Sequence, residues 1–217
     1  MPGLGASSEI FEFLNFKQDL KLIPLSWIPP KNGESIEEYA IRMCRLVKHE
    51  KPSILGVSFG GILIQEMSRH LSFDKVIIVS SVKSNKELPL TMFIAKQTKA
   101  YRLLPVQWIN NLESLALFVF GDLMKKRITL YKKYLSVRDP QYLSWAINEL
   151  INWKRSKALS NVIHIHGDND NIFPSKNLKN AEIISGANHA MILIESNWFN
   201  ENIPLILADK YIFKNKL

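Results

Sequence analysis

The sequence predicts an α/β fold, a mostly parallel sheet flanked by helices. Short runs such as "SILGV" (53–57), "KVIIVSS" (75–81) and "NVIHIHGD" (161–168) are apolar at consecutive positions, as strands buried on both faces are. Stretches of helical character alternate with them, the pattern of strands joined by helical crossovers. At 217 residues the chain has the length of one domain with room for a sizeable core and one insertion.

The elements follow in order. Residues 9–16 read as a short helix. "DLKLIPLSW" (19–27) reads as a strand interrupted by Pro24, and Pro29-Pro30 ends it. Ser35-Ile36-Glu37-Glu38 matches a capping box and opens a helix whose apolar face is Ile36, Tyr39, Ala40, Met43, Leu46 and Val47. A strand over 53–57 is followed by a helix over 61–71. Strands over 75–81, 161–168 and 181–185 come next, and a helix over 198–208 closes the pattern.

Between Ser81 and Asn161 the alternation stops. This segment is helical in character and rich in large apolar side chains, among them Met92, Phe93, Tyr101, Trp108, Phe118, Phe120, Tyr131, Tyr134, Trp145 and Trp153. Asp139-Pro140 supplies an N-cap and a first helical residue for the stretch running to Trp153. An insertion placed here reads as a helical cap, at about 84–158, over one end of the sheet of a single domain spanning 1–217. Most of its aromatics are expected to hold the helices together, and a minority to line a pocket.

Composition narrows the function. The formal charge is +8, but the basic residues are spread along the chain. The densest group, Lys125-Lys126-Arg127 with Lys132-Lys133, reads as the solvated face of a helix. No zinc-knuckle spacing or aromatic RNA-binding signature accompanies it, so no nucleic-acid partner is expected. Cys44 is the single cysteine, which allows no intrachain disulfide and suits a reducing compartment. It reads as a small core or boundary residue, although two neighbouring arginines would favour its thiolate. No apolar run approaches the roughly 18 residues of a membrane span, "LALFVF" (115–120) being too short. No signal peptide is recognised, and a cytoplasmic location is expected.

Chemistry concentrates in three loops. Ser58 stands in Gly56-Val57-Ser58-Phe59-Gly60 between a predicted strand and a predicted helix. That is the context in which G-x-S-x-G exposes a serine hydroxyl on a tight bend, with the helix N-terminus directed at the reacting centre. A serine nucleophile needs a histidine to take its proton and a carboxylate to orient that histidine. Asp168 and Asp170, in "HGDNDNIFP" directly after a strand, both qualify as the carboxylate. His189, in "SGANHAM" after the last strand, is the histidine candidate. All three loops would emerge at the C-terminal ends of parallel strands, where open α/β sheets place their sites.

On these motifs the chain resembles the α/β-hydrolases over nearly its whole length. "GVSFGG" is similar to the family's nucleophile elbow. "HGDND" with "IFP" resembles its acid loop, in which the acid stands three residues after the glycine, and this puts the role on Asp170. "GANHAM" resembles the histidine loop and gives the base role to His189. "PGLGA" (2–6) resembles the glycine-rich loop that helps form the oxyanion hole, which implies the backbone amides of Leu4 and Phe59 as donors. The resemblance implies a serine hydrolase acting on a carboxylic ester or related acyl compound, with no cofactor and no metal. A substrate with an apolar part is expected from the aromatic cap. The second reading is a hydrolase-like protein that binds a small ligand without turning it over.

In the family the glycine-rich loop follows a central strand lying between the strands matched here by 19–27 and 53–57. Met1 begins at the loop, so that strand lacks residues. The expectation is that the true start lies upstream of Met1. Alternatively, another segment or chain fills the gap, or the sheet has re-paired.

The remaining histidines fit a bland reading. His164-Ile165-His166-Gly167-Asp168 has the form H-x-H-x-D that begins some metal sites, but Asn169 stands where a further histidine belongs. Only His189 follows, too few ligands for two metals. The pair is expected to be buried or hydrogen-bonded. His49 and His70 sit near predicted helix C-termini, where histidine complements the helix dipole.

Overall fold

The computed structural model describes residues 1–16, 20–99 and 133–213. Among the described residues four parallel strands, β1 (Ile54–Val57), β2 (Val76–Val79), β3 (Val162–Gly167) and β4 (Glu182–Ile184), pair in the order β1-β2-β3-β4. In-register partners are Gly56 with Ile78, Ile78 with His164, and His166 with Ile183. Among the described residues the helices are α1 (Ile36–Cys44), α2 (Phe59–Met67), α3 (Leu90–Thr98), α4 (Pro140–Ile151), α5 (Met191–Ile194) and α6 (Ser196–Leu207). Residues 9–16 are mostly irregular, with a 3-10 turn at Ser8–Phe11 in place of the expected helix.

Strand pleating sorts the core into two layers. On β2, Val76 and Ile78 face the layer formed with α1, α2 and α4. Ile77 and Val79 face the layer formed with the Ser8–Phe11 turn, α5 and α6. A period of two with apolar residues at every position therefore buries both faces. The α1 capping box is complete: the Ser35 hydroxyl accepts from the Glu38 amide, and the Glu38 carboxylate accepts from the Ser35 amide. Its buried side chains are Ile36, Tyr39, Ala40 and Met43. Leu46 and Val47 lie beyond its end at Cys44.

The strand expected at 19–27 does not form over its described part, 20–27, which carries no regular sheet pairing. A strand needs a neighbour, and between this segment and β1 lies a cavity of about 610 Å3. Leu20, Leu22, Ile23 and Leu25 line it on one side, Ile54 and Leu55 on the other. Met1 pairs with the edge of β1. Its amino group donates to the Leu55 carbonyl (2.6 Å) and its carbonyl accepts from the Val57 amide (3.0 Å), the pattern of one parallel-strand rung.

The part of the predicted cap at 100–132, with Tyr101, Trp108, Phe118, Phe120 and Tyr131, lies outside the described residues. Of the remainder, α4 begins as expected, with the Asp139 carboxylate accepting from the Tyr142 amide and Pro140 in the first turn. Trp145 packs on Tyr39 at 4.3 Å between ring centroids, and Trp27 on Phe59 at 5.5 Å. Trp153 is buried and donates from Nε1 to Glu66 (2.8 Å). These aromatics fasten α4 to α1 and α2. Among the described residues, no helix is long and apolar enough to cross a membrane.

Candidate active site

Ser58 follows β1 and caps α2. Its backbone holds φ 53°, ψ −122°, a conformation that disfavours a side chain. The surroundings enforce it. The Ser58 amide donates to the Val79 carbonyl (2.9 Å), and its carbonyl accepts from Gly61 N (2.9 Å) and the Ser81 hydroxyl (2.7 Å). The bend folds the chain onto itself: a Cβ at Gly56 would lie 2.5 Å from the Gly60 carbonyl oxygen, and one at Gly60 would lie 2.2 Å from that of Pro2. The spacing of small residues around Ser58 is thus required by backbone crossing backbone.

His189 reaches Ser58 from the loop after β4. Its Nε2 lies 2.9 Å from the Ser58 Oγ, and its Nδ1 lies 2.7 Å from the Asp170 Oδ2. A carboxylate only accepts, so the Nδ1 carries the proton and Nε2 is free to accept the serine hydroxyl's. Asp170 is 3 % exposed. Its Oδ1 accepts from the amides of Ile172 (2.8 Å) and Phe173 (2.9 Å). Burial by itself would raise this carboxyl's pKa. The adjoining His189 imidazole, then His166 and the Phe173 amide, outweigh burial and hold it below its ordinary value.

The two aspartates of the acid loop have different partners. Asp168 is exposed and accepts from the Gly186 amide at 2.6 Å, tying the loop after β3 to the loop after β4. Asp170 turns inward against His189. His164 and His166 are buried and pair with each other, Nε2 to Nδ1, at 3.3 Å. Among the described residues, no group of three His, Cys, Asp or Glu side chains is arranged to hold a metal ion. Cys44 is half-buried, and burial pushes its thiol pKa up.

Leu4 sits at the tip of a turn closed by the Ala6 amide on the Gly3 carbonyl (3.1 Å). The loop is held without a long strand behind it: the Trp27 indole donates to the Gly3 carbonyl (3.0 Å), Val137 N to Gly5 O (3.1 Å) and Ser7 N to Tyr134 O (2.8 Å). Phe59 opens α2, where first-turn amides have no acceptor within the helix. Leu4 and Ser58 line the same cavity, of about 60 Å3. Its other walls are almost wholly apolar and include Met92, Leu135, Leu150, Ile172, Phe173 and Ile192. Sequence reading did not single out Leu135, Ile172 or Ile192, because a pocket wall has no pattern that separates it from core.

No protein-family model matches the sequence, and no curated protein is similar to it in sequence. Solved structures are similar in fold. The esterase RhEst1 from Rhodococcus sp. ECU1013 matches with a TM-score of 0.69 at 17% identity, over 97% of this chain and 90% of that one. The hydrolase olei00960 from Oleispira antarctica matches with a TM-score of 0.69 at 12% identity, over 96% and 89%. A bromoperoxidase from Bacillus anthracis matches with a TM-score of 0.64 at 15% identity, over 96% and 92%. With its parallel sheet, flanking helices and near-complete coverage of these structures, the chain has the α/β-hydrolase fold.

Proposed function

We propose that the chain is a serine hydrolase that cleaves a carboxylic ester or related acyl compound through an acyl-enzyme. The observation that carries this reading is the hydrogen-bonded series Ser58 Oγ, His189 Nε2, His189 Nδ1, Asp170 Oδ2, at 2.9 and 2.7 Å. Esterases and hydrolases among the structures of similar fold support it in general terms.

In the proposed reaction the Ser58 Oγ attacks the acyl carbon while His189 Nε2 takes its proton. Asp170 keeps Nδ1–H in place and stabilises the imidazolium. The amides of Leu4 and Phe59 donate to the carbonyl oxygen as it gains charge, a contribution of about 10²- to 10³-fold per donor in such sites. Collapse breaks the ester C–O bond, and His189 gives its proton to the departing alkoxide. Water then attacks the acyl-serine, with His189 again as base, and releases the acid and free Ser58.

The segment 84–158 acts in this reading as a cap, since Met92, Leu135 and Leu150 stand over the cavity beside Ser58. An apolar wall of that size suits a small substrate with an apolar acyl part. One thiol and no disulfide agree with a cytoplasmic setting.

A fluorophosphonate probe tests the proposal. The wild-type protein should be labelled at Ser58, Ser58→Ala should not, and a metal chelator should leave labelling unchanged. Wild-type protein that binds acyl compounds but never labels would replace the enzyme with a ligand-binding protein.

A further inference from the structure

The hydrogen bonds behind the acid loop define a single direction of donation. His166 Nε2 faces the Phe173 carbonyl oxygen at 2.8 Å and the Asp170 Oδ2 at 3.3 Å. Both atoms only accept, so the Nε2 carries a proton. The ring is completely buried, and burial resists a second proton. The Nδ1 is therefore bare and faces His164 Nε2 at 3.3 Å. The reverse assignment would aim a lone pair of His166 at two acceptor oxygens.

We propose that His166 is a positioning residue: a neutral imidazole whose Nε2–H donates to the Phe173 carbonyl beside Asp170 and so holds the 170–173 turn that aims the Asp170 carboxylate at His189. The inference rests on the serine hydrolase reading. Asp170 has three hydrogen-bond donors in place, Ile172 N and Phe173 N on Oδ1 and His189 Nδ1 on Oδ2, and the His166 Nε2–H stands 3.3 Å from Oδ2 as a favourable polar contact. Both Oδ1 bonds come from the turn that ends at Phe173, so fixing the Phe173 carbonyl also fixes the carboxylate's orientation toward His189. Through Phe173 the same proton also fixes a pocket wall, whose ring meets the His189 ring edge-on at 5.7 Å between centroids. His166 touches neither Ser58 nor the cavity. It acts through Asp170 and Phe173.

The test compares His166→Leu, which deletes the donor, with His166→Gln, whose side-chain amide nitrogen can replace Nε2. For His166→Leu, kcat on an acyl ester and the rate of fluorophosphonate labelling should both fall by about 10- to 100-fold, with KM changed less than about threefold. His166→Gln should recover both rates to within about threefold of wild type. Nitrogen NMR on the wild-type protein should show His166 neutral with its proton on Nε2, a readout independent of turnover and of whether His166→Leu folds. The inference is overturned if folded His166→Leu keeps wild-type kcat. It is equally overturned if Gln is as impaired as Leu, or if NMR finds the proton on Nδ1 or on both nitrogens. Absence of labelling in the wild-type protein would instead sink the hydrolase reading, while the NMR result would still report on His166.

Discussion

The amino nitrogen of Met1 donates to the carbonyl oxygen of Leu55 across 2.6 Å at a buried residue. Where Met1 is the first residue and its amine is free, burial moves that amine's pKa from 8.0 down to about 5. The unfolded chain takes up the proton near pH 8 and the folded chain only near pH 5. Stability is therefore complete above pH 8, declines as the pH falls, and levels off below pH 5. The decline amounts to about 4 kcal/mol across that window. Urea unfolding at pH 8.5 and pH 5.5 measures it. Acetylation of Met1 keeps an N–H for Leu55 and removes the charge, so it should abolish this part of the slope. The buried His164 and His166, whose pKa values burial also lowers, account for a part that acetylation leaves. An identical slope before and after acetylation would refute the assignment to Met1.

Gly60→Ala should be among the most damaging single-methyl changes in the chain. The added Cβ would meet the Pro2 carbonyl oxygen at 2.2 Å and the Met1 carbonyl oxygen at 2.6 Å, both backbone atoms with no rotamer to change. The expected loss is about 3 kcal/mol or more, with labelling of Ser58 reduced because the Leu4 turn is displaced. Thermal unfolding and probe labelling decide it, and a loss under about 1 kcal/mol would show that the N-terminal segment gives way freely.

Ser58 carries strain that glycine would relieve. At φ 53° and ψ −122°, Ser58→Gly should stabilise the fold by about 1 kcal/mol, whereas Ser58→Ala should not stabilise it. Both should lose all labelling. A Tm for Ser58→Gly at or below that of Ser58→Ala would mean the bend is not strained.

The two aspartates of the acid loop should separate in kinetics. Asp170→Asn disturbs the His189 tautomer and should reduce turnover by about 10³- to 10⁴-fold. Asp168→Asn loses part of a loop tie to Gly186 and should stay within about tenfold of wild type. The opposite ranking would transfer the acid role to Asp168.

The sequence by itself determined the strands β1, β2 and β3 and the loops that hold Ser58, Asp170 and His189. Consecutive apolar residues in β1, β2 and β3 specify burial on both faces, and Ser35 with Glu38 specifies where α1 begins; both signals are local, so they survive in a linear reading. Chain order likewise assigns Ser58, the acid loop and His189 to the ends of parallel strands. Tertiary structure decided everything that depends on a partner distant in sequence. Residues 20–27 have strand composition but no strand, because the hydrogen-bonding neighbour beside them is a cavity. Leu4 is held near Ser58 by Trp27, Tyr134 and Val137, none of which a loop motif announces. Which aspartate faces His189, and that His166 reaches Asp170 from behind, follow from how the loops after β3 and β4 pack. Hydrogen bonds and burial at these positions join residues that only folding brings within 3 Å or so of each other.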